Sequence, residues 1–125
     1  MWVKDHRDLD VYKRGFELAG RVFVLTQKFP KEETYSLTDQ VRRSSRSVCA
    51  NLAEAWGKRR YKAVFINKLT DSYAELLETQ TWLDFSVSCG YVTREVVAEL
   101  DKEYIGLRQS LLAIIDHAPE WCKAK

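Results

Sequence analysis

Residues 42–62 hold seven cations in 21 positions: Arg42, Arg43 and Arg46, then Lys58, Arg59, Arg60 and Lys62, with Glu54 the only acid among them. Clusters of this kind bind backbone phosphates by charge and, for arginine, by the planar fork of the guanidinium group. Tyr61 stands inside the second run and is placed to stack on a base, whereas Tyr73 and Tyr104 fall in rows expected to face the core. The predicted nucleic-acid-binding set is therefore Arg42, Arg43, Arg46, Lys58, Arg59, Arg60, Tyr61 and Lys62. A run such as Lys58 to Lys62 also suits a plain solvated turn. Arg43 also suits an ion pair with Glu54 or with an acid of a neighbouring subunit, and the sequence leaves these readings open.

Other chemistry finds no support. A di-iron bundle needs Glu-x-x-His, and Ile114 stands three residues before His117, while His6 lies in the N-terminal segment. H-E-x-x-H, the phosphate loop, G-x-G-x-x-G and G-x-S-x-G are absent. Cys49, Cys89 and Cys122 cannot all pair with one another and form no C-x-x-C, which suits free thiols packed in a protein of the reducing cytoplasm. The first ten residues contain no apolar signal core, and no uncharged apolar stretch approaches a membrane span. The expectation is a non-enzymatic cytoplasmic protein with no metal, no cofactor and no membrane segment.

The elements that must position the cations follow from composition and punctuation. The chain of 125 residues is 46% hydrophobic and 30% charged, with 5 Gly and 2 Pro, the balance of a helix-rich single domain. That domain spans residues 1–125, with its core over about residues 8–117, and is large enough to need no disulfide. Net charge is only +2, but residues 1–62 carry 14 Lys/Arg against 8 Asp/Glu and residues 63–125 carry 6 against 10. One surface can then attract a polyanion while another repels it.

Four segments are long enough to be helices. The first is predicted from Asp8 to Lys28, with Leu9, Tyr12, Phe16, Ala19 and Phe23 as its core row and Pro30 past its end. Ser36-Leu-Thr-Asp39 starts a second, capped by the Ser36 hydroxyl, which runs to Trp56 and stops at Gly57. The third runs from Lys62 to Cys89, carries Phe65, Leu69, Tyr73, Leu76, Leu83 and Val87 on one face, and is closed by Gly90 in a left-handed cap. Thr93 caps the fourth, with Val96, Val97, Leu100, Tyr104, Leu107, Leu111 and Ile114 on one side and Pro119 at its limit. Short connections make successive helices antiparallel neighbours, so the predicted fold is all-α, an antiparallel up-down-up-down four-helix bundle.

The helices carry more apolar surface than one bundle needs. In the third, Val64, Trp82 and Phe85 project roughly opposite the core row, and the first adds Val11, Leu18 and Leu25 beside its own. Large apolar side chains gathered on one outer face point to a subunit interface. The second helix has a core row of Leu37, Val41, Val48, Leu52 and Ala55. Beside it runs a polar stripe of Gln40, Arg43, Ser47, Asn51 and Glu54, and then a row of Arg42, Arg46, Ala50, Ala53 and Gly57, whose short members let another backbone approach. A solvent face would more usually carry Lys and Glu. These features predict a homo-oligomer with Gln40, Ser47, Asn51, Glu54, Val64, Trp82 and Phe85 at the subunit boundary.

Leu9-Asp-Val-Tyr12, Phe29-Pro-Lys-Glu-Glu33, Leu37-Thr-Asp-Gln-Val-Arg-Arg43, Ser47-Val and Asn51-Leu-Ala-Glu54 together resemble the four-helix-bundle family encoded in intervening sequences of bacterial large-subunit ribosomal RNA genes. Glu78-Thr-Gln-Thr-Trp-Leu-Asp-Phe85 and Cys89-Gly-Tyr91 look like one branch of it, and the resemblance covers about residues 7–117. It implies a bacterial cytoplasmic bundle assembled as a ring, a homopentamer. A related protein of diversity-generating retroelements, the accessory variability determinant, is a pentamer that binds nucleic acid and a reverse transcriptase. The family also carries a ribosomal-protein label. One departure is Ala55, where the family usually has Gly. Two readings of function follow: an oligomer that binds structured RNA through its basic patch, or a scaffold or accessory subunit for a protein partner without direct nucleic-acid binding.

Overall fold

Gly90 sits at φ +80°, and the bonds around it form a Schellman end: its N–H donates to the Val87 carbonyl at 2.9 Å, and the Tyr91 N–H donates to the Ser86 carbonyl at 3.0 Å. The helix closed in this way is the longest element of a computed structural model that describes residues 3–122. Every regular element among the described residues is helical: α1 (Asp10–Thr26), α2 (Leu37–Gly57), α3 (Lys62–Ser88), α4 (Arg94–Asp116) and α5 (Ala118–Cys122), with single 3-10 turns at His6–Asp8 and Lys31–Glu33. Thr93 opens α4 as its sequence position predicts, its hydroxyl accepting from the Val96 N–H at 3.3 Å. Pro119 stands in the first turn of α5, where its missing N–H costs nothing.

The start of α2 is built differently from the expectation. Ser36 precedes the helix but its hydroxyl makes no bond to the helix backbone; instead it donates to Glu33 Oε1 at 2.6 Å. The same oxygen accepts the Leu37 N–H at 3.2 Å, so the carboxylate of the preceding 3-10 turn caps α2. An anion at that end is favoured over a hydroxyl by the helix dipole.

Each long helix packs on two others: α1 on α2, α2 on α3, α3 on α4, and α4 back on α1. Contacts across α2 and α3 occur in reversed order along the chain. Asn51 meets Lys68, Val48 meets Ser72, and Ser44 meets Thr79. Small residues make this seam tight, because Ser44, Ser72, Thr79 and Ser86 are fully buried and each returns its hydroxyl to a carbonyl or to another hydroxyl. The apolar core around them includes Val41, Val48, Leu52, Leu69, Leu76, Leu83, Leu100, Leu107 and Leu111. Burial of each such side chain contributes about 1.5–3 kcal/mol before conformational entropy is counted. Tyr104 is buried at the centre with no hydrogen-bond partner for its hydroxyl among the described residues, and burial pushes its pKa up.

The core face of α1 differs from the predicted one. Val11, Gly15, Leu18 and Val22 are buried, whereas Phe16 is 65% exposed and Phe23 39%. The helix has turned its smaller row inward because Gly15 lets α2 and α4 come close. A Cβ there would lie 3.2 Å from Cys49 Sγ and 3.7 Å from Leu107 Cδ2. In α4, Val97 rather than Val96 enters the core, and Tyr73 and Val87 of α3 are half-buried at its margin.

Candidate nucleic-acid interface and assembly surfaces

Helix α2 separates the cations that the sequence groups. Arg42, Arg43 and Arg46 lie in its first half, and the second run follows its C-terminus. Fifteen residues from Arg43 to Lys58 correspond to about 22 Å of helix. The two runs are therefore distinct patches.

The arginine triad is anchored. Arg42 donates through Nε to Thr26 Oγ1 at 2.7 Å and lies 4.5 Å above the Phe23 ring, which Arg46 also approaches at 5.9 Å. Arg43 donates to Gln40 Oε1 at 3.1 Å and pairs with Glu78 at 3.4 Å. Its partner is thus an acid of the same chain, on α3, and Glu54 pairs elsewhere. All three line a polar hollow with Tyr35, Thr38 and Asp39.

The second run forms a corner between α2 and α3. Its backbone closes α2 through the Lys58 N–H, which donates to the Glu54 and Ala55 carbonyls at 3.1 and 3.0 Å, and cations are favoured at this negative end of the helix. Arg59 is fixed, 3.6 Å above the Trp56 ring and donating to the Trp56 carbonyl at 3.0 Å, while Trp56 meets Trp121 edge-on at 6.4 Å. Lys58, Arg60 and Lys62 are exposed, and among the described residues none makes an ion pair. Tyr61, 59% exposed, is the residue before α3.

The predicted assembly residues also divide. Ser47, Asn51 and Glu54 belong to a polar seam closed within the chain by Lys68, which the sequence reading did not single out. Lys68 Nζ contacts Glu54 at 2.6 Å and Asn51 Oδ1 at 3.5 Å, and the Asn51 amide donates to the Ser47 carbonyl at 2.9 Å. The Lys68 hydrogen bond and charge hold the Glu54 carboxyl below its usual range, and Glu54 raises Lys68 in return. Nearby, desolvation and then the charge of Glu78 raise the Glu75 carboxyl.

Gln40, Trp82 and Phe85 do come together, in a hollow shared with Tyr35 and Leu37. The Trp82 and Phe85 rings lie 5.9 Å apart, the Trp82 N–H donates to Glu78 Oε1 at 3.3 Å, and Phe85 is 52% exposed. Val64 is not part of it. Eighteen residues along α3 place it about 27 Å away, at the other end of the helix.

One surface was missed. Tyr12, Phe16, Ala19, Gly20 and Phe23 of α1 face Arg46, Ala50 and Ala53 of α2 across an apolar groove of about 570 Å³. Its α2 side is the short-side-chain row noted in the sequence; its α1 side is the row expected in the core. Among the described residues no group of three or more His, Cys, Asp or Glu side chains is arranged to hold a metal ion, and no helix is long and apolar enough to cross a membrane.

Comparison with known proteins agrees with this architecture. The sequence model of the 23S rRNA-intervening sequence protein family matches residues 7–113. Among solved structures, a protein of unknown function from the S23 ribosomal protein family of Bacteroides thetaiotaomicron is 30% identical. It superimposes with a TM-score of 0.77, covering 85% of this chain and 95% of that one. No curated protein matches the sequence.

Proposed function

This chain belongs to the 23S rRNA-intervening sequence protein family, and from that premise we propose that it is a non-enzymatic, cytoplasmic homo-oligomer, a ring of five antiparallel up-down-up-down bundles, that binds structured RNA. The reversed order of contacts across α2 and α3 supports the bundle topology. The observation that carries RNA binding is the corner after α2, where Lys58, Arg60 and Lys62 are exposed and without an ion pair among the described residues, next in sequence to an exposed Tyr61. Phosphates take the cations, and an unpaired base takes the ring. The triad contributes less, because Arg42, Arg43 and Arg46 are already engaged.

Assembly multiplies a weak site. Two or three phosphate contacts per subunit become about a dozen in a ring of five, enough for tight and strongly salt-dependent binding despite a small net charge. Gel-shift titration of the purified protein with a structured RNA at rising salt tests this; shifts at low salt that fade as salt rises are expected, and no affinity even at low salt overturns it. A scaffold reading draws support from the apolar groove. Recovery of one stoichiometric protein partner after nuclease treatment of native material would favour it.

A further inference from the structure

The chain displays two largely uncharged helical strips, one a groove and the other a ridge. The groove lies between α1 and α2, with Phe16 and Phe23 as its wall and Ala50 and Ala53 as its floor. The ridge is the outer face of α3, where Thr70, Ala74, Leu77, Thr81 and Phe85 are exposed at steps of four, three, four and four residues. A helix that is apolar on its outer face as well as its inner one is normally covered on both. We infer that the α1/α2 groove of one copy receives the α3 ridge of a second copy, in a head-to-tail contact.

Length, shape and charge carry this assignment. Tyr12 to Phe23 in the groove and Ala74 to Phe85 on the ridge are each eleven residue steps, about 16.5 Å of helix. Small floor residues admit a helix closely, and the ridge brings Leu77 and Phe85 as the side chains to fill the space. Arg46 lines the groove and Arg42 the adjoining hollow, and among the described residues neither makes an ion pair. The ridge helix has no Lys or Arg from residue 69 to its end, while Glu75 and Asp84 flank the ridge outside any ion pair among the described residues; the other flanking acids, Asp71 and Glu78, already face Lys68 and Arg43. A groove-to-groove contact would set arginines against arginines, and a ridge-to-ridge contact acids against acids; only groove to ridge is complementary. Two different faces in one contact make it heterologous, the kind that closes into a ring. This rests on the homo-oligomer reading and supplies its geometry.

Complementing variants test it, with mass measured by size exclusion and multi-angle light scattering and helix content by circular dichroism. Phe16→Asp/Ala50→Asp spoils the groove and Thr81→Asp/Phe85→Asp spoils the ridge; all four positions are exposed, so the fold is retained. Each variant alone is expected to run as a monomer. Mixed in equal amounts they should form a heterodimer and nothing larger, since one intact groove and one intact ridge remain. If either variant keeps the wild-type mass, or if the mixture stays monomeric while the wild type is oligomeric, this contact is wrong and the oligomer stands. A monomeric wild type overturns both.

Discussion

The Tyr91 hydroxyl donates to Glu33 Oε2 at 2.7 Å, joining the connection before α2 to the connection before α4, 58 residues away. The other oxygen of the same carboxylate holds Ser36 and the first N–H of α2. Three donors on one carboxylate, Ser36 first and then Tyr91 and Leu37, keep its pKa below the usual range, and Glu33 in turn pushes Tyr91 up to about 12. A carboxyl depressed in the folded state adds stability that is present above its unfolded pKa and is lost as pH falls through the folded one. Glu33→Gln should therefore lower Tm at pH 7 by a few degrees and have a much smaller effect at pH 3. Thermal melts at the two pH values decide this; an equal loss at both would mean that the carboxylate charge is not what matters.

The second prediction concerns the α2/α3 seam, where Thr79 Oγ1 donates to Ser44 Oγ at 2.8 Å with both residues fully buried. Loss of a buried hydrogen-bond partner costs about 1–3 kcal/mol. Thr79→Val and Ser44→Ala should each destabilise the chain within that range, and the double variant by less than their sum, with a coupling of about 1 kcal/mol. Denaturant unfolding of the four proteins gives the cycle, and strict additivity would show that the two hydroxyls do not cooperate.

The helices themselves were legible because their ends are written in chemistry that acts locally: Gly90 for a left-handed turn, Thr93 for a cap, Pro30 for a stop. Which face of α1 turns inward was not, because the helix carries two apolar rows and periodicity cannot rank them. Size favoured Phe16 and Phe23, but the choice depends on how near α2 and α4 approach, and Gly15 sets that by what it lacks. The buried serines of α2 and α3 were hidden for a related reason. Ser44, Ser45 and Ser86 satisfy their hydroxyls on carbonyls three or four residues back, so residues that read as polar behave as small core residues. As for the site, sequence adjacency joined Arg43 to Lys58, which one rigid helix holds apart.

The glycines of α1 provide a third prediction, because the same change should have opposite effects five residues apart. A Cβ at Gly20 meets nothing within 4 Å, so Gly20→Ala should stabilise the monomer by about 0.5–1 kcal/mol through lower unfolded-state entropy. At Gly15 the Cβ would press on Cys49 Sγ at 3.2 Å and Val48 Cγ1 at 3.4 Å, and Cys49 is backed by the Tyr12 carbonyl at 3.5 Å. Overpacking of about 1–3 kcal/mol should exceed the helix-propensity gain there, making Gly15→Ala net destabilising. Chemical denaturation of both variants checks the signs.

Burial pushes the Cys49 thiol up to about 11. At pH 8 roughly one molecule in a thousand then carries the reactive thiolate. Cys89, which is exposed, should react with iodoacetamide in the native protein, while Cys49 should be labelled only as the protein opens. Peptide mass mapping over a time course reads both sites, and prompt labelling of Cys49, which also lines the α1/α2 groove, would mean that the reagent reaches it from the groove without opening of the fold.

The salt dependence of RNA binding separates the two cationic patches. Each phosphate contact to a single strand contributes about 0.7 to the slope of log affinity against log salt. Lys58→Ala, Arg60→Ala and Lys62→Ala remove exposed cations, so each should flatten that slope, weaken binding to different sequences alike and leave helix content unchanged. Arg43→Ala should leave the slope nearly as it is, because its guanidinium already faces Glu78 at 3.4 Å. Tyr61→Ala removes a stacking surface but no charge, so its effect should appear as a loss of affinity for unpaired nucleotides at an unaltered slope. Fluorescence anisotropy with a fixed RNA over a range of salt concentrations measures all five variants. A slope that falls for Arg43→Ala and holds for Lys58, Arg60 and Lys62 would move the interface from the corner to the triad.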